Sequence, residues 1–272
     1  MKIPFTKLHG AKNDFLLTPA EAAPAEGLGE IAVEICDRYT GVGADGWMLI
    51  DRTAGPDFDA SIRLFNSDGS EPELSGNGTR CAAALLADDR PGQTEFRIRT
   101  GAGIKGLRLA WRDENNFEFE MNMGEIRVIS LHSPVEGRDA VLVDAGNPQC
   151  AIAVENFDFD WRTLGAAVER DPLFPNRTNV SFIRGVGEHA IEVRFWERGA
   201  GETNSSGTGS TGAAVAAVAR GIVKPPVTVL TPAGPLELKM HAGSTPASST
   251  VYLTGPVSKV AEGVFHRAKM KR

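Results

Sequence analysis

Two serine residues each open a glycine-rich turn that leads into a run of small residues, an arrangement that places a hydroxyl at the start of a helix. Ser75 begins Ser-Gly-Asn-Gly, and Ser206 begins Ser-Gly-Thr-Gly. Glycines at a helix start let the backbone approach a ligand, and the free N–H groups there favour an anion. The turns therefore predict a carboxylate-binding cradle, built from the N–H groups of Gly76–Asn77 and Gly207–Thr208.

The same turns have other interpretations. The plainest is that Ser75 and Ser206 are ordinary helix N-caps. Residues 207–212 match G-x-G-x-x-G, but a dinucleotide site also requires a βαβ unit and an acidic residue about 20 positions later, and the surrounding sequence supplies neither. A P-loop is excluded because no Gly-Lys-Ser/Thr follows. Two such turns in an internal repeat favour a ligand site over two plain caps.

The serines recur within a longer repeat. Each serine follows a segment of strand-like alternation, at residues 61–65 and 191–196. A polar loop then carries Asn66 in the first copy and Glu197–Arg198 in the second. Both copies therefore have the order strand, polar loop, Ser-Gly-x-Gly and helix, which predicts two similar halves.

Other segments complete the predicted architecture. Helices are predicted at 28–39, 81–87, 161–169 and 212–219. Further strands are predicted at 96–98, 117–121, 140–143, 227–230 and 251–253. Many short strands with few helices predict an α+β fold in which sheets wrap around the helices. We expect one half at 1–127, joined by a returning strand within 251–272, and the other half at 128–250.

Composition and charge exclude several classes of function. The 272-residue chain is 42% apolar and 24% charged, which suffices to bury a core in one large or two smaller domains. Its formal net charge of −6 gives no reason to expect nucleic acid as a partner. No apolar run approaches the roughly 20 residues that span a bilayer, and the N-terminus does not resemble a signal peptide. We expect a cytoplasmic protein without a membrane partner, and a solvated basic end at 266–272.

The cysteines and histidines predict neither a disulfide nor a metal site. Cys36, Cys81 and Cys150 are odd in number and widely spaced, with no CxxC and no neighbouring pair of histidines. They are predicted to be buried thiols. The five histidines are scattered as well, so we expect no bound metal.

Seven segments carry a resemblance to a known family. They are FTKLHGAKNDF (Phe5–Phe15), CDRYTGVGADG (Cys36–Gly46), FNSDGSEPELSGNGTRCAAA (Phe65–Ala84), NMGE (Asn122–Glu125), GNPQC (Gly146–Cys150), RTNVSF (Arg177–Phe182) and WERGAGETNSSGTGS (Trp196–Ser210). On these segments the chain resembles the diaminopimelate epimerase family over essentially its whole length. The resemblance implies two pseudo-symmetric domains, each a curled, mostly antiparallel sheet around a central helix, with the active site in the cleft between them. It also implies an isomerase of lysine and cell-wall synthesis that needs no cofactor and forms a homodimer.

The catalytic positions depart from the family pattern. In the family, two cysteines face the substrate α-carbon, where a thiolate removes the proton and a thiol delivers one to the other face. Ser75 and Ser206 occupy those positions here. Gln149 replaces a histidine that assists one cysteine, whereas the glutamate that assists the other is retained as Glu197. Because a hydroxyl is a far weaker acid than a thiol, family-type epimerisation would be strongly slowed.

The residues that the resemblance assigns to substrate binding are present. They are Asn13, Asn66, Asn147, Asn179, Glu197 and Arg198, with Gln149 beside them and the cradles Gly76–Asn77 and Gly207–Thr208. Arg198 can bind a carboxylate through two hydrogen bonds, and Glu197 can pair with an ammonium group. For each asparagine the alternative is a turn residue or an Asx cap, above all for Asn13. The pattern predicts a small amino acid or a related carboxylate as the ligand.

Two classes of function stay open. The first is an isomerase of this family, with diaminopimelate epimerisation as the nominal reaction, Glu197 as the acid/base and both serines as positioning or relay groups. Double-bond isomerisation, tautomerisation or elimination with Glu197 would suit a more acidic substrate. The second is a ligand-binding protein without turnover. Engineered Cys→Ser changes and natural divergence both account for the serines, and the non-family residues Gln149 and Asn204–Ser205 favour divergence.

Overall fold

The computed structural model of the protein describes residues 1–267, so most of the basic end predicted to be solvated lies outside the described residues. The described chain forms fifteen strands, four α-helices and a 3-10 turn at Ala20–Ala22. The helices are α1 (Leu28–Cys36), α2 (Gly76–Asp89), α3 (Trp161–Glu169) and α4 (Gly207–Ala219). The strands are β1 (Lys2–Gly10), β2 (Asn13–Pro19), β3 (Gly46–Asp51), β4 (Ala60–Asn66), β5 (Glu95–Thr100), β6 (Gly103–Arg112), β7 (Asn116–Val135), β8 (Arg138–Asp144), β9 (Pro148–Ala153), β10 (Asn179–Gly187), β11 (Ala190–Glu197), β12 (Gly201–Thr203), β13 (Val227–Thr231), β14 (Gly234–Ala242) and β15 (Ser248–His266).

Contacts within the chain divide it into two compact units. Unit 1 contains Met1–Met121 and the described residues from Pro256 to Arg267, and unit 2 contains Asn122–Gly255. The sequence predicted the division after residue 127 and the return from residue 251. No linker marks the boundary, because β7 and β15 each run unbroken from one unit into the other. The sequence therefore contains no linker-like segment at the points where the chain passes from one unit to the other.

Unit 1 is a sheet of eight strands that surrounds helix α2. The strand order is β15-β1-β2-β3-β4-β5-β6-β7, and neighbours pair antiparallel except in the parallel pairs β2–β3 and β4–β5. Helix α2 is buried from Asn77 to Ala87 and contacts β1, β2, β4, β5 and β6. A backbone hydrogen bond from Lys259 N to Asn115 O, at 2.8 Å, connects β15 to the start of β7. The sheet is therefore curled around the helix.

Unit 2 repeats this arrangement around helix α4. The strand order is β7-β8-β9-β10-β11-β13-β14-β15, with the parallel pairs β9–β10 and β11–β13 at the equivalent places. Helix α4 contacts β8, β9, β10, β11, β13 and β14. The short strand β12, which pairs with the end of β11, is an addition. The repeated order of pairings and helices confirms the predicted pseudo-symmetric α+β fold.

An outer helix supports the strand that leads to each serine. In unit 1, Ile31 of α1 packs with Trp47 and Phe65, and the Trp47 indole donates a hydrogen bond to Thr18 Oγ1 at 2.8 Å. In unit 2, the equivalent helix α3 packs through a buried apolar cluster on β10. Helices α1 and α3 also contact β4 and β11 respectively. These contacts hold in place the strands from which the polar loops emerge.

The helix bounds agree with the prediction for α3 and differ for the other helices. Helices α2 and α4 begin directly after the two serines rather than at 81 and 212. Glycine has a low helix propensity, so the sequence does not reveal these first turns. Helix α1 ends before residue 39, because Asp37 accepts hydrogen bonds from Tyr39 N at 2.9 Å and Thr40 N at 2.6 Å. These bonds give the backbone an alternative to another helical turn.

Candidate active site

The Ser75 hydroxyl caps helix α2. Ser75 has extended backbone angles, and its Oγ accepts a hydrogen bond from Gly78 N at 3.1 Å. The Thr79 hydroxyl donates to Ser75 O at 2.7 Å. A Cβ at Gly78 would lie 2.7 Å from Met48 Cε, so a larger residue there would displace the end of the Met48 side chain. Ser75 Oγ is therefore fixed as an acceptor at a helix N-terminus, where the hydroxyl can still donate its proton.

The amides of Asn77 and Asn13 lie together at this helix start. Asn77 Nδ2 donates to Asn13 Oδ1 at 3.2 Å, and Asn13 Nδ2 donates to Asp45 Oδ2 at 2.7 Å. Asn66 is engaged elsewhere, since its Nδ2 donates to Ser70 Oγ at 3.0 Å within its own loop. This loop bond fits the alternative of a turn residue for Asn66. We call Ser75, Gly76, Asn77 and Asn13 the Ser75 cluster.

A cavity in unit 1 reaches Ser75. Its volume is about 470 Å³, which is within the range of small-molecule sites. Two arginines that line it are already engaged: Arg63 pairs with Glu71 at 2.9 Å, and the Arg99 guanidinium lies 3.7 Å from the centroid of the Phe58 ring. The cavity therefore offers space beside Ser75, and both of these arginines are already engaged.

Ser206 caps helix α4 in the same way and also contacts a carboxyl group. Its Oγ accepts a hydrogen bond from Gly209 N at 3.0 Å. Its side chain interacts with that of Glu197, the last residue of β11. Burial raises the pKa of Glu197, and interactions with Ser206 and Thr203 offset only part of this rise. A carboxyl group with a raised pKa is a stronger base than an ordinary glutamate and is suited to accept and return a proton.

Asn147, Gln149 and Thr208 form a second chain of hydrogen bonds. Gln149 Nε2 donates to Asn147 Oδ1 at 2.6 Å, and Asn147 Nδ2 donates to Thr208 Oγ1 at 3.5 Å. Gln149 is 2% exposed, and within the described chain its Oε1 has no hydrogen-bond partner. A neutral amide orients Asn147 but does not act as a base. We call Ser206, Gly207, Thr208, Glu197, Asn147 and Gln149 the Ser206 cluster.

Asn179 and Arg198 lie beside Glu197. Asn179 Nδ2 donates to Pro148 O at 3.0 Å, and its Oδ1 accepts from Arg198 N at 3.1 Å. The exposed Arg198 donates through Nη1 to Asn176 O at 3.1 Å. A guanidinium has five N–H donors, so this contact leaves donors for a carboxylate. Asn179 therefore shapes the turn, and Arg198 is the side chain in it that can bind an anion.

Glu169, which the sequence analysis did not identify, holds the turn that contains Glu197 and Arg198. This carboxylate is 3% exposed and accepts hydrogen bonds from Trp196 Nε1 at 2.9 Å, Gly199 N at 3.0 Å and Arg177 Nη1 at 3.2 Å. Burial alone would raise the pKa of Glu169, but these bonds outweigh it and lower the pKa. No sequence signal distinguishes Glu169, because the last residue of an amphipathic helix is usually a solvated charge.

The three cysteines do not supply the thiols that the serines lack. Cys36, Cys81 and Cys150 are free and buried, as predicted. Burial raises the pKa of each thiol to about 12, so all three are protonated at neutral pH. Cys81 is on the same helix that Ser75 caps and is fully buried. Thiolate chemistry has therefore not moved to a neighbouring position.

Two kinds of feature are absent from residues 1–267. No group of three or more His, Cys, Asp or Glu side chains in that range is arranged to hold a metal ion. No helix in the same range has the length and apolar character to cross a membrane. The candidate residues are those of the Ser75 cluster in unit 1 and, in unit 2, those of the Ser206 cluster and the turn held by Glu169.

Removal of the Ser75 cap is expected to destabilise the protein by about 0.5–2 kcal/mol. Ser75→Ala leaves Gly78 N without its side-chain acceptor. Asp160→Ala is the matched control, because Asp160 caps α3 through a 3.1 Å bond from Thr163 N. Urea unfolding should show a similar loss of unfolding free energy in both variants, whereas only Ser75→Ala should lower turnover at the candidate site. An equal loss of activity in both variants would show that activity depends on helix stability rather than on the Ser75 hydroxyl.

Comparisons with known proteins identify related sequences and folds. The family model described as diaminopimelate epimerase matches residues 5–129 and 141–260. Diaminopimelate epimerase of Ectopseudomonas mendocina is 35% identical over 97% of this chain and 99% of its own. That of a Cyanothece species is 39% identical over 97% of this chain and 100% of its own. A phenazine biosynthesis protein of the PhzF family from Bacillus anthracis shares the fold, with a TM-score of 0.73 at 15% identity over 97% of this chain and 99% of that one.

Proposed function

Because the chain belongs to the diaminopimelate epimerase family and is an isomerase, we propose that it transfers protons at the α-carbon of a small amino acid, with diaminopimelate as the nominal substrate. The contact between Glu197 and Ser206 at the start of α4 carries this proposal. It joins a carboxyl group of raised pKa to a helix N-terminus that favours an anion. Proton transfer next to a substrate carboxylate requires both features.

Glu197 is the base in this mechanism. Its carboxylate takes the α-proton, directly or through the Ser206 hydroxyl, and the electron pair of the broken C–H bond moves into the substrate carboxylate. The N–H groups of Gly207–Thr208, at the positive end of α4, stabilise the resulting enolate. Arg198 binds a carboxylate of the substrate. Because burial raises the pKa of Glu197, its acid form persists to higher pH and can return the proton.

In the proposed mechanism inversion is slower than exchange, because the position to which the family resemblance assigns the second proton transfer is Ser75 rather than a cysteine. Ser75 Oγ is bonded to Gly78 N, and no carboxylate among the described residues is hydrogen-bonded to it. A hydroxyl without such a partner delivers a proton slowly. Exchange with solvent through Glu197 should therefore be faster than inversion of the α-carbon.

The same asymmetry favours a second candidate function. A single effective base suits double-bond isomerisation or elimination on a carboxylate substrate whose proton is more acidic than an ordinary α-proton. In both reactions Glu197 removes the proton. Isomerisation returns it to another carbon, and elimination releases a leaving group. The acidity of the substrate proton, rather than a pair of thiols, then makes the reaction possible.

Proton NMR in D₂O tests the proposal. The protein is incubated with LL-diaminopimelate and separately with the meso isomer. We expect deuterium at the α-carbon, and we expect its incorporation to outpace interconversion of the isomers. Calorimetry on the same samples measures binding. Binding without exchange would overturn proton transfer on this substrate and direct the search to unsaturated or hydroxylated carboxylates, or to a binding role without turnover.

A further inference from the structure

Arg80 is a buried cation in the second turn of helix α2. Its side chain is 0% exposed, and its one hydrogen bond joins Nη2 to Asn77 Oδ1. Within residues 1–267, its Nε and Nη1 atoms have no hydrogen-bond partner. Burial lowers the pKa of Arg80 to about 10. A buried guanidinium without a carboxylate partner is unfavourable for folding, so packing alone does not explain this residue.

Arg80 begins a directed chain of hydrogen bonds. It donates to Asn77 Oδ1, Asn77 Nδ2 donates to Asn13 Oδ1 at 3.2 Å, and Asn13 Nδ2 donates to Asp45 Oδ2 at 2.7 Å. The chain runs from a cation to a carboxylate, so each amide dipole is aligned with the charges at its ends. A flipped Asn77 amide would place its NH₂ group against the guanidinium. The Arg80 charge therefore favours one orientation for Asn77, and through Asn77 for Asn13.

Unit 2 shows what this position looks like without a cation. Thr211, five residues after Ser206 as Arg80 is after Ser75, donates its hydroxyl to Gly207 O at 2.8 Å. The equivalent amide chain there runs in the opposite direction, because Asn147 Nδ2 donates to the helix residue Thr208. The hydrogen bonds therefore run in one direction in the unit that has the buried arginine and in the opposite direction in the unit that lacks it.

We propose that Arg80 is a positioning residue that fixes the amide orientations of Asn77 and Asn13 for ligand binding. Each amide keeps one N–H group and one oxygen lone pair that the chain does not use. Their fixed arrangement suits the carboxylate and ammonium groups of an amino acid. The inference rests on the proposed function for its choice of ligand.

A double-mutant cycle tests this role with meso-diaminopimelate as the probe. Calorimetry compares the wild type with Arg80→Met, Asn13→Ala and the double variant. We expect Arg80→Met to weaken binding about tenfold, a coupling typical of contacting residues. The double variant should bind no more weakly than Asn13→Ala alone, because Arg80 acts through Asn13. Arg80→Lys keeps the charge and should lose less affinity than Arg80→Met.

Arg112→Met is the matched control. Arg112 donates to Ala87 O and Asp88 Oδ1 near the end of the same helix, both at 2.9 Å, and lies outside the chain of amides. Arg112→Met should lower Tm and leave affinity unchanged, whereas Arg80→Met should lower affinity without lowering Tm. Unchanged affinity in Arg80→Met would overturn the proposal. It would also be overturned if the loss of affinity in the double variant equalled the product of the losses in the two single variants, because the two residues would then act independently.

Two further measurements apply if Arg80→Met does not fold or if the wild type does not bind meso-diaminopimelate. Asn77→Asp still accepts from Arg80 but cannot donate to Asn13, so it should weaken binding to a similar extent. If the wild type does not bind the probe, the proposed function fails. NMR of the ligand-free protein then tests the chain itself: hydrogen exchange of the Asn13 side-chain amide should be faster in Arg80→Met or Asn77→Asp. Unchanged exchange would refute the role of Arg80.

Discussion

Glu197→Gln is expected to lower the rate of α-proton exchange by about 10²–10⁴-fold, the usual contribution of a general base. Glutamine keeps the size of the side chain and can still bond to Ser206, but it cannot accept the proton. Substrate binding should change much less than turnover, since Arg198 and the N–H groups of α4 remain. The measurement is the exchange rate at saturating substrate, with calorimetry for the affinity.

Glu192→Gln is the matched control for this variant. Glu192 lies on the same strand, β11, and pairs with Arg184 and Arg194, so the substitution removes a carboxylate that does no chemistry. The control should keep the exchange rate of the wild type. A comparable fall in both variants would mean that exchange depends on the charge of β11 and not on Glu197 as the base.

The raised pKa of Glu197 also sets the direction of two pH effects. Exchange by the wild type should increase with pH as Glu197 loses its proton, through a pKa above the usual range for glutamate. The folded state holds this proton to higher pH than the unfolded state does. Stability contributed by the protonated group is therefore full below the unfolded pKa and is lost as the pH rises through the folded pKa. Glu197→Gln should thus be at least as stable as the wild type at neutral pH, which separates lost chemistry from unfolding.

Several parts of the fold could be predicted from the sequence, and others could not. Alternation identified β4 and β11 because each has one buried face and one face that is mostly half-buried. Strand β3 has no such period, because Gly46 to Ile50 are all buried. Strands β7 and β15 were recognised only in pieces. In β7, register shifts between Val128 and Ser130, and again before Ser133, interrupt the alternation of buried and exposed residues.

The candidate residues likewise differ in whether the local sequence reveals them. Serines before glycine-rich helix starts are a local signal, and the structure has both hydroxyls as caps. Glu169 and Arg80 carry no local signal. Their importance comes from Trp196, Gly199 and Asn77, and most of these contacts are made only when distant strands and helices come together. Buried polar partners of this kind are visible in a structure and not in a periodic pattern.

The double variant Ser75→Cys/Ser206→Cys is expected to interconvert LL- and meso-diaminopimelate about 10²–10⁴-fold faster than the wild type. A thiol is a much stronger acid than a hydroxyl, and a helix N-terminus lowers its pKa further. Both new thiols would replace hydroxyls that already cap α2 and α4. A small loss of stability should accompany the gain, because sulfur is a weak acceptor for the capping N–H groups.

The single variants separate the two proton transfers. Ser206→Cys places a thiol beside Glu197 and should increase exchange more than inversion, because Ser75 still delivers its proton slowly. Ser75→Cys should increase inversion relative to exchange. Addition of Gln149→His to the double variant supplies a titratable group in place of the buried amide and should increase inversion again. If the double variant binds diaminopimelate but interconverts it no faster than the wild type, the clusters are organised for a different substrate, and isomerisation or elimination with Glu197 as the base becomes the function to test.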